Sequence, residues 1–129
     1  MDKIIPVTCA IIQFGDKTLA VQRSTKMKLP LKWEFAGGKI EKGETEIECI
    51  KREISEELNI KIEVKERLTP VTHQYPNLKI KLIPFITEYL SGELELREHC
   101  NFLLVNKAEL INLDWAEADL PILKEYLSL

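Results

Sequence analysis

The sequence predicts an α+β sandwich, and three observations carry that expectation. Short apolar runs, several of them alternating, recur between compact turns; one strongly two-faced helix stands in the middle of the chain; a second, shorter helix closes it. The 129 residues are 45% hydrophobic, enough for one domain, 1–129, with a core of its own. No repeat, low-complexity tract or Pro/Gly/Ser linker divides them.

Taken in order, Val7–Phe14 and Thr18–Gln22 read as a hairpin around Gly15-Asp16. A lysine-rich stretch leads to Trp33-Glu34-Phe35-Ala36-Gly37-Gly38-Lys39, and Lys42-Gly43 reads as a turn. Thr45 followed by Glu48 has the form of a capping box, so a helix begins there with Glu44 just outside it. Ile47, Ile50, Ile54 and Leu58 line one face of that helix, while Glu53, Glu56 and Glu57 occupy an exposed arc of about 100° on the other. Lys61–Glu66 and Leu68–His73 read as strands, Lys79–Tyr89 as a long one, Ser91-Gly92 as a turn and Asn101–Asn106 as a further strand. Leu120–Tyr126 makes the last helix, with Asp119 placed to cap it before Leu120-Pro121.

Glutamates three and four apart on a helix repel by about 0.2–0.5 kcal/mol per pair, and a bound cation removes that repulsion. Hard oxygen ligands suit Mg²⁺ or Mn²⁺, and Mg²⁺ takes one or two protein carboxylates while sharing its remaining positions with water and phosphate. A solvated acidic face would look the same in isolation. The spacing around it narrows the reading: Gly38, five residues, Glu44, seven residues, then Arg52-Glu53-Ile54-Ser55-Glu56-Glu57-Leu58-Asn59-Ile60. This motif resembles the Nudix box, with Asn59 standing where glycine is usual. Asparagine is the next most tolerant residue at a left-handed helix end, so the loop–helix–loop is expected to be intact.

The resemblance implies a mixed β-sheet sandwiched between helices (α/β/α) over nearly the whole chain. It also implies that Glu44 braces the loop and that Arg52 orients a catalytic Glu53. Trp33 to Lys39 is similar to the MutT-type nucleoside triphosphate pyrophosphohydrolases, and Ala36 with Ala118-Asp119-Leu120-Pro121-Ile122-Leu123 is similar to their CTP pyrophosphohydrolase branch. From that likeness the Gly37 carbonyl and Glu57 are expected to hold metal, with Glu53 and Glu56 completing the cluster. Glu34, Phe35, Ala36 and Asp119 are expected at the base or sugar, and Arg23 and Lys39 at the phosphates. Arg23 is favoured because its planar fork suits phosphate. Glu98 matches a glutamate that serves as an extra ligand or as the base. Rival readings stand beside these: Phe35 as a core aromatic, Trp33 as packing, Asp119 as a helix cap, Glu98 as an exposed loop acid, and Arg52 as half of an exposed pair with Glu56.

The expected reaction is metal-dependent hydrolysis of a nucleoside triphosphate, a pyrimidine such as CTP or dCTP or an oxidised or modified nucleotide, to monophosphate and pyrophosphate. The alternatives are sanitation of 8-oxo-dGTP, hydrolysis of ADP-ribose or a dinucleoside polyphosphate on the strength of Tyr75-Pro76, and a Nudix-fold binding module without turnover. The net charge of −3 argues against a nucleic acid polymer as partner, although Arg23, Lys26, Lys28, Lys32, Lys39 and Lys42 crowd the approach to the box. Cys9, Cys49 and Cys100 are odd in number and lack CxxC spacing, consistent with reduced thiols in a cytoplasm. Cys9 reads as core, Cys49 lies between the two helix faces, and His73 and His99 have no partner at metal-ligand spacing. No signal peptide or membrane segment is expected, and the chain is expected to act as a monomer or homodimer.

Overall fold

The structure, a computed structural model, describes residues 3–129. Strand β1 (Ile4–Phe14) turns at Gly15, φ +63°, into β2 (Lys17–Gln22). Two short strands follow, β3 (Trp33–Glu34) and β4 (Gly37–Lys39), and then helix α1 (Glu46–Leu58). Strands β5 (Lys61–Arg67), β6 (Val71–Tyr75), β7 (Leu78–Ser91) and β8 (Asn101–Asn106) complete a mixed eight-stranded sheet. The chain ends with 3₁₀ turns at Lys107–Asn112 and Glu117–Asp119 and helix α2 (Leu120–Leu127).

The long strands β1 and β7 run parallel at the centre, paired from Ile4 with Lys79 to Gln13 with Glu88. Period-two alternation along β1 then sorts its side chains between two cores. Cys9 and Ile11 pack on the side of Ile122, Leu123 and Tyr126 from α2. Ala10 and Ile12 pack on the side of Ile50, Ile54 and Leu58 from α1. The sandwich is therefore written in adjacent residues of one strand.

Helix α1 begins and ends as expected. The Thr45 hydroxyl accepts the Glu48 N–H at 3.1 Å, and the Glu48 carboxylate accepts the Thr45 N–H at 2.9 Å. Asn59 is left-handed at φ +59°, and its side-chain amide donates to the Glu93 carbonyl at 3.0 Å. Several expectations need correction. Ile47 does not join the buried face: it is 46% exposed, and the core on that side is made by Ile50, Ile54 and Leu58. Cys49 is fully buried rather than intermediate. Leu68 precedes β6 as a buried core residue instead of starting it. The strands β3 and β4 and the two 3₁₀ turns were not expected; two- and three-residue strands carry no periodicity to read.

Candidate functional site

Strand β4 lies against β1, where Gly37 pairs with Cys9 and Gly38 with Thr8. A Cβ on Gly37 would lie 1.9 Å from the Thr8 carbonyl oxygen, so only glycine admits this approach of two backbones. A Cβ on Gly38 would lie 2.2 Å from the Glu53 carboxyl carbon. The glycine pair thus lets α1 lay an acidic side chain directly on the β4 backbone.

Arg52 organises the acids around it. Its guanidinium grips Glu44 with Nε at 2.6 Å and Nη2 at 3.0 Å, and Nη1 reaches Glu53 at 2.9 Å and Glu56 at 3.1 Å. Nη2 also donates to the Lys39 carbonyl at 3.2 Å. The hydrogen bonds from Arg52, then the one from the Glu41 N–H at 3.0 Å, hold the Glu44 carboxyl down at about 2. Arg52 and Glu56 are therefore part of a network that includes Glu44 and Glu53, not an isolated exposed pair.

The three box glutamates differ in exposure, which the helical arc alone did not show. Glu56 is exposed, the Glu53 side chain is 16% exposed, and Glu57 is buried, contrary to the expectation of one exposed arc. The chain after β7 folds back over the end of α1, with the N–H of Glu95 bonded to the Leu58 carbonyl and that of Arg97 to the Glu57 carbonyl. Glu98 on this loop is exposed and borders the same cavity as Glu57. Burial first, then Glu98, pushes the Glu57 carboxyl up to about 10. Burial also raises Glu53, against the pull of Arg52. Oε2 of Glu57 is buried without any hydrogen-bond donor. A buried carboxylate lacking a donor is the kind of ligand a hard cation satisfies. No three acidic, His or Cys side chains among the described residues already converge on one point.

Beside these acids opens a cavity of about 460 Å³, whose lining includes Glu57 and Glu98 together with Phe35, Ala118 and Asp119. Arg23, Glu34, Tyr75 and the loop residues Met27, Lys28 and Leu29 also border it. Asp119 does not cap α2. Its side chain is turned inward, where Oδ2 accepts the Phe35 N–H at 2.9 Å, and burial holds its carboxyl well above the usual range. Phe35 satisfies both of its readings: it packs on Trp115 with ring centroids 4.7 Å apart, and it lines the cavity. Trp33 is packing. Ala36 belongs elsewhere, since its side chain joins the core beneath α1. Lys39 is exposed and does not line the cavity. The Arg23 guanidinium is already bonded to Glu34 at 2.8 Å and to the Lys28 carbonyl, so it reaches the cavity as a braced group.

Sequence reading did not place Thr8 or Cys9 at the cavity or His99 beside Glu34, and it weighed Tyr75 only for an alternative substrate. The Tyr75 hydroxyl accepts the Ala118 N–H at 3.2 Å, tying β6 to the segment that carries Asp119. His99 is buried with Nε2 2.7 Å from Glu34 Oε2, and His73 lies near Glu117 at 3.4 Å. One apolar-run threonine or cysteine carries no signal of a cavity; the only hint for His99 was its place next to Glu98.

A glycine strand backed by an arginine-braced acidic helix, beside an open pocket, is an arrangement suited to a hydrolase that splits phosphoric anhydrides. The NUDIX domain family matches residues 3–126, and the chain belongs to the Nudix family. It is 32% identical over 127 residues to the CTP pyrophosphohydrolase of Escherichia coli K12, covering 98% of this chain and 94% of that one. It is 34% identical over 118 residues to the putative 8-oxo-dGTP diphosphatase 2 of Mycobacterium tuberculosis, covering 89% and 82%. Among solved structures, MutT from methicillin-resistant Staphylococcus aureus 252 superposes with a TM-score of 0.80 at 38% identity, covering 99% of this chain and 98% of that one. The protein is a Nudix hydrolase acting on nucleotide substrates. No described helix is long and apolar enough to cross a membrane.

Proposed function

We propose that this enzyme hydrolyses a nucleoside triphosphate to the monophosphate and pyrophosphate, with a pyrimidine of the cytosine type as the preferred base. The observation that supports it best is a single cavity lined both by Glu57, with its donorless buried oxygen, and by Phe35 with the buried Asp119 bonded to its N–H. Glu57, Glu53, Glu56 and the Gly37 carbonyl would hold Mg²⁺ or Mn²⁺, which when bound neutralises phosphate charge and acidifies water. Glu53 or Glu98 takes the proton of the attacking water, and Arg52 keeps Glu53 aimed while Glu44 anchors Arg52. Arg23, immobilised by Glu34, meets the phosphate chain as a preformed fork. Phe35 offers a face to the base, and the Asp119 oxygen not engaged by Phe35 can accept from an exocyclic amine, or donate to a ring nitrogen when protonated. The similarity to a CTP pyrophosphohydrolase favours cytosine, and that to 8-oxo-dGTP diphosphatases supports a second reading in which an oxidised guanine meets the same residues.

The deciding experiment is a kcat/KM comparison across CTP, dCTP, a 5-substituted dCTP, dGTP and 8-oxo-dGTP, with ADP-ribose and a dinucleoside tetraphosphate as controls. Cytosine nucleotides should lead. A lead for 8-oxo-dGTP would establish the second reading, and turnover confined to the controls would reject both.

A further inference from the structure

The loop from Gly92 to Cys100 presents Glu98 to Glu57, and its fastening is uneven. Its first half is sewn to the end of α1: the N–H of Glu95 donates to Leu58 at 3.0 Å and that of Arg97 to Glu57 at 3.2 Å, while the Arg97 guanidinium reaches the Glu56 carbonyl at 3.0 Å. Its last residue, Cys100, donates its N–H to the Gln22 carbonyl of β2 at 3.0 Å. Between these anchors Glu98 and His99 make no backbone hydrogen bond among the described residues. What fastens that span is a side chain. His99, its imidazole 1% exposed, reaches Glu34 Oε2 at 2.7 Å, and Glu34 Oε1 takes the Arg23 guanidinium at 2.8 Å. The guanidinium in turn holds the Lys28 carbonyl on the loop that borders the cavity.

We propose that His99 is a positioning residue of this hydrolase: through Glu34 it fixes both the loop that carries Glu98 and the Arg23 fork across the cavity. The inference rests on the reading above, in which Glu98 and Arg23 face a nucleoside triphosphate. A carboxylate salt-bridged to arginine only accepts, so the shared hydrogen belongs to His99 Nε2. Nδ1 is buried without a partner, and a lone pair there leaves no buried N–H unanswered. A side chain chosen only to fill this space would need no donor. What selects histidine is an N–H placed at the distance of Nε2, with a stiff ring behind it.

Two amides separate donor placement from bulk. Glutamine carries its amide nitrogen the same number of bonds from Cβ as Nε2, whereas asparagine carries it at the Nδ1 position, short of Glu34. His99→Asn should lower kcat roughly 10–100-fold, the loss typical of a reacting group displaced by about 1 Å, with a smaller change in KM. His99→Gln should recover most of that rate at a similar melting temperature. In ¹⁵N-correlation spectra of the metal-free, nucleotide-free protein, His99→Asn should shift the Glu98 and Arg23 amides while His99→Gln leaves them near their native positions. The spectra test the linkage even if no nucleotide triphosphate proves to be a substrate, so its failure and that of the functional reading stay distinct. Equal behaviour of the two variants, in spectrum or in rate, would overturn the proposal, as would rate losses in both that simply track loss of stability.

Discussion

Replacing Glu57 by glutamine removes a charge that the folded protein already resists. The Glu57 carboxyl is pushed from 4.5 to about 10 by burial, then by Glu98, with Glu53 and Glu34 adding to it. Without metal at pH 7 it is protonated when folded and ionised when unfolded. Since the folded value is the raised one, the sign is destabilising: the cost is absent below about pH 4.5 and grows as pH climbs from there toward 10. At about 1.36 kcal/mol per unit, the interval from 4.5 to 7 sets an upper limit of about 3 kcal/mol. Glutamine keeps the shape and has no proton to acquire. Glu57→Gln should therefore raise the melting temperature of the metal-free protein at pH 7 by several degrees, and the gain should shrink to less than about 1 kcal/mol at pH 5. Mg²⁺ should act in the opposite sense, stabilising the native protein with release of a proton, stabilising the variant far less, and supporting almost no turnover by it. Calorimetry at pH 5 and 8 with and without Mg²⁺, with a pH indicator for the released proton, measures all of this. A variant less stable than the native protein at pH 8, a gap independent of pH, or full activity at saturating Mg²⁺ would refute the reasoning.

Three further outcomes follow from the same geometry. Gly38→Ala should expel the Glu53 carboxylate and cut kcat about 100-fold with little loss of melting temperature, whereas Gly37→Ala meets the Thr8 backbone and should cost roughly 2–3 kcal/mol of stability; equal effects of the two on stability would contradict this assignment. Asp119→Asn keeps an oxygen for the Phe35 N–H but replaces the other oxygen with a donor, so the fold should survive while the kcat/KM ratio between cytosine and guanine nucleotides changes; an unchanged ratio would leave Asp119 a purely structural acceptor. Hydrolysis in ¹⁸O-water should label pyrophosphate and not the monophosphate, as attack at the β-phosphorus requires; label in the monophosphate would move the attack to the α-phosphorus.

The box and its helix were legible in the sequence because they are local. A capping box acts over one helical turn, so spacing alone places Thr45 and Glu48, while the resemblance to the box supplied the pairing of Arg52 with Glu53 and the left-handed Asn59, both of which the structure shows. Val7–Phe14 was legible as a strand, but that its adjacent residues feed two separate cores came from the tertiary structure. What spacing could not supply was depth. Glu56 and Glu57 are neighbours on the same helical arc, yet one is exposed and the other is buried at the cavity that the returning chain helps to form. Asp119 looked like a cap for α2, yet it turns inward to the Phe35 N–H across a sequence separation of 84 residues. Ala36 and Phe35 are adjacent in sequence but point to opposite cores, so the pleat assigns only Phe35 to the cavity. His99 carried no motif at all; the packing of β3 against the returning loop made it the partner of Glu34. Local hydrogen bonds and periodicity are properties of the chain by itself, whereas burial and the charges that raise or lower a carboxyl depend on which distant segments the sheet brings together.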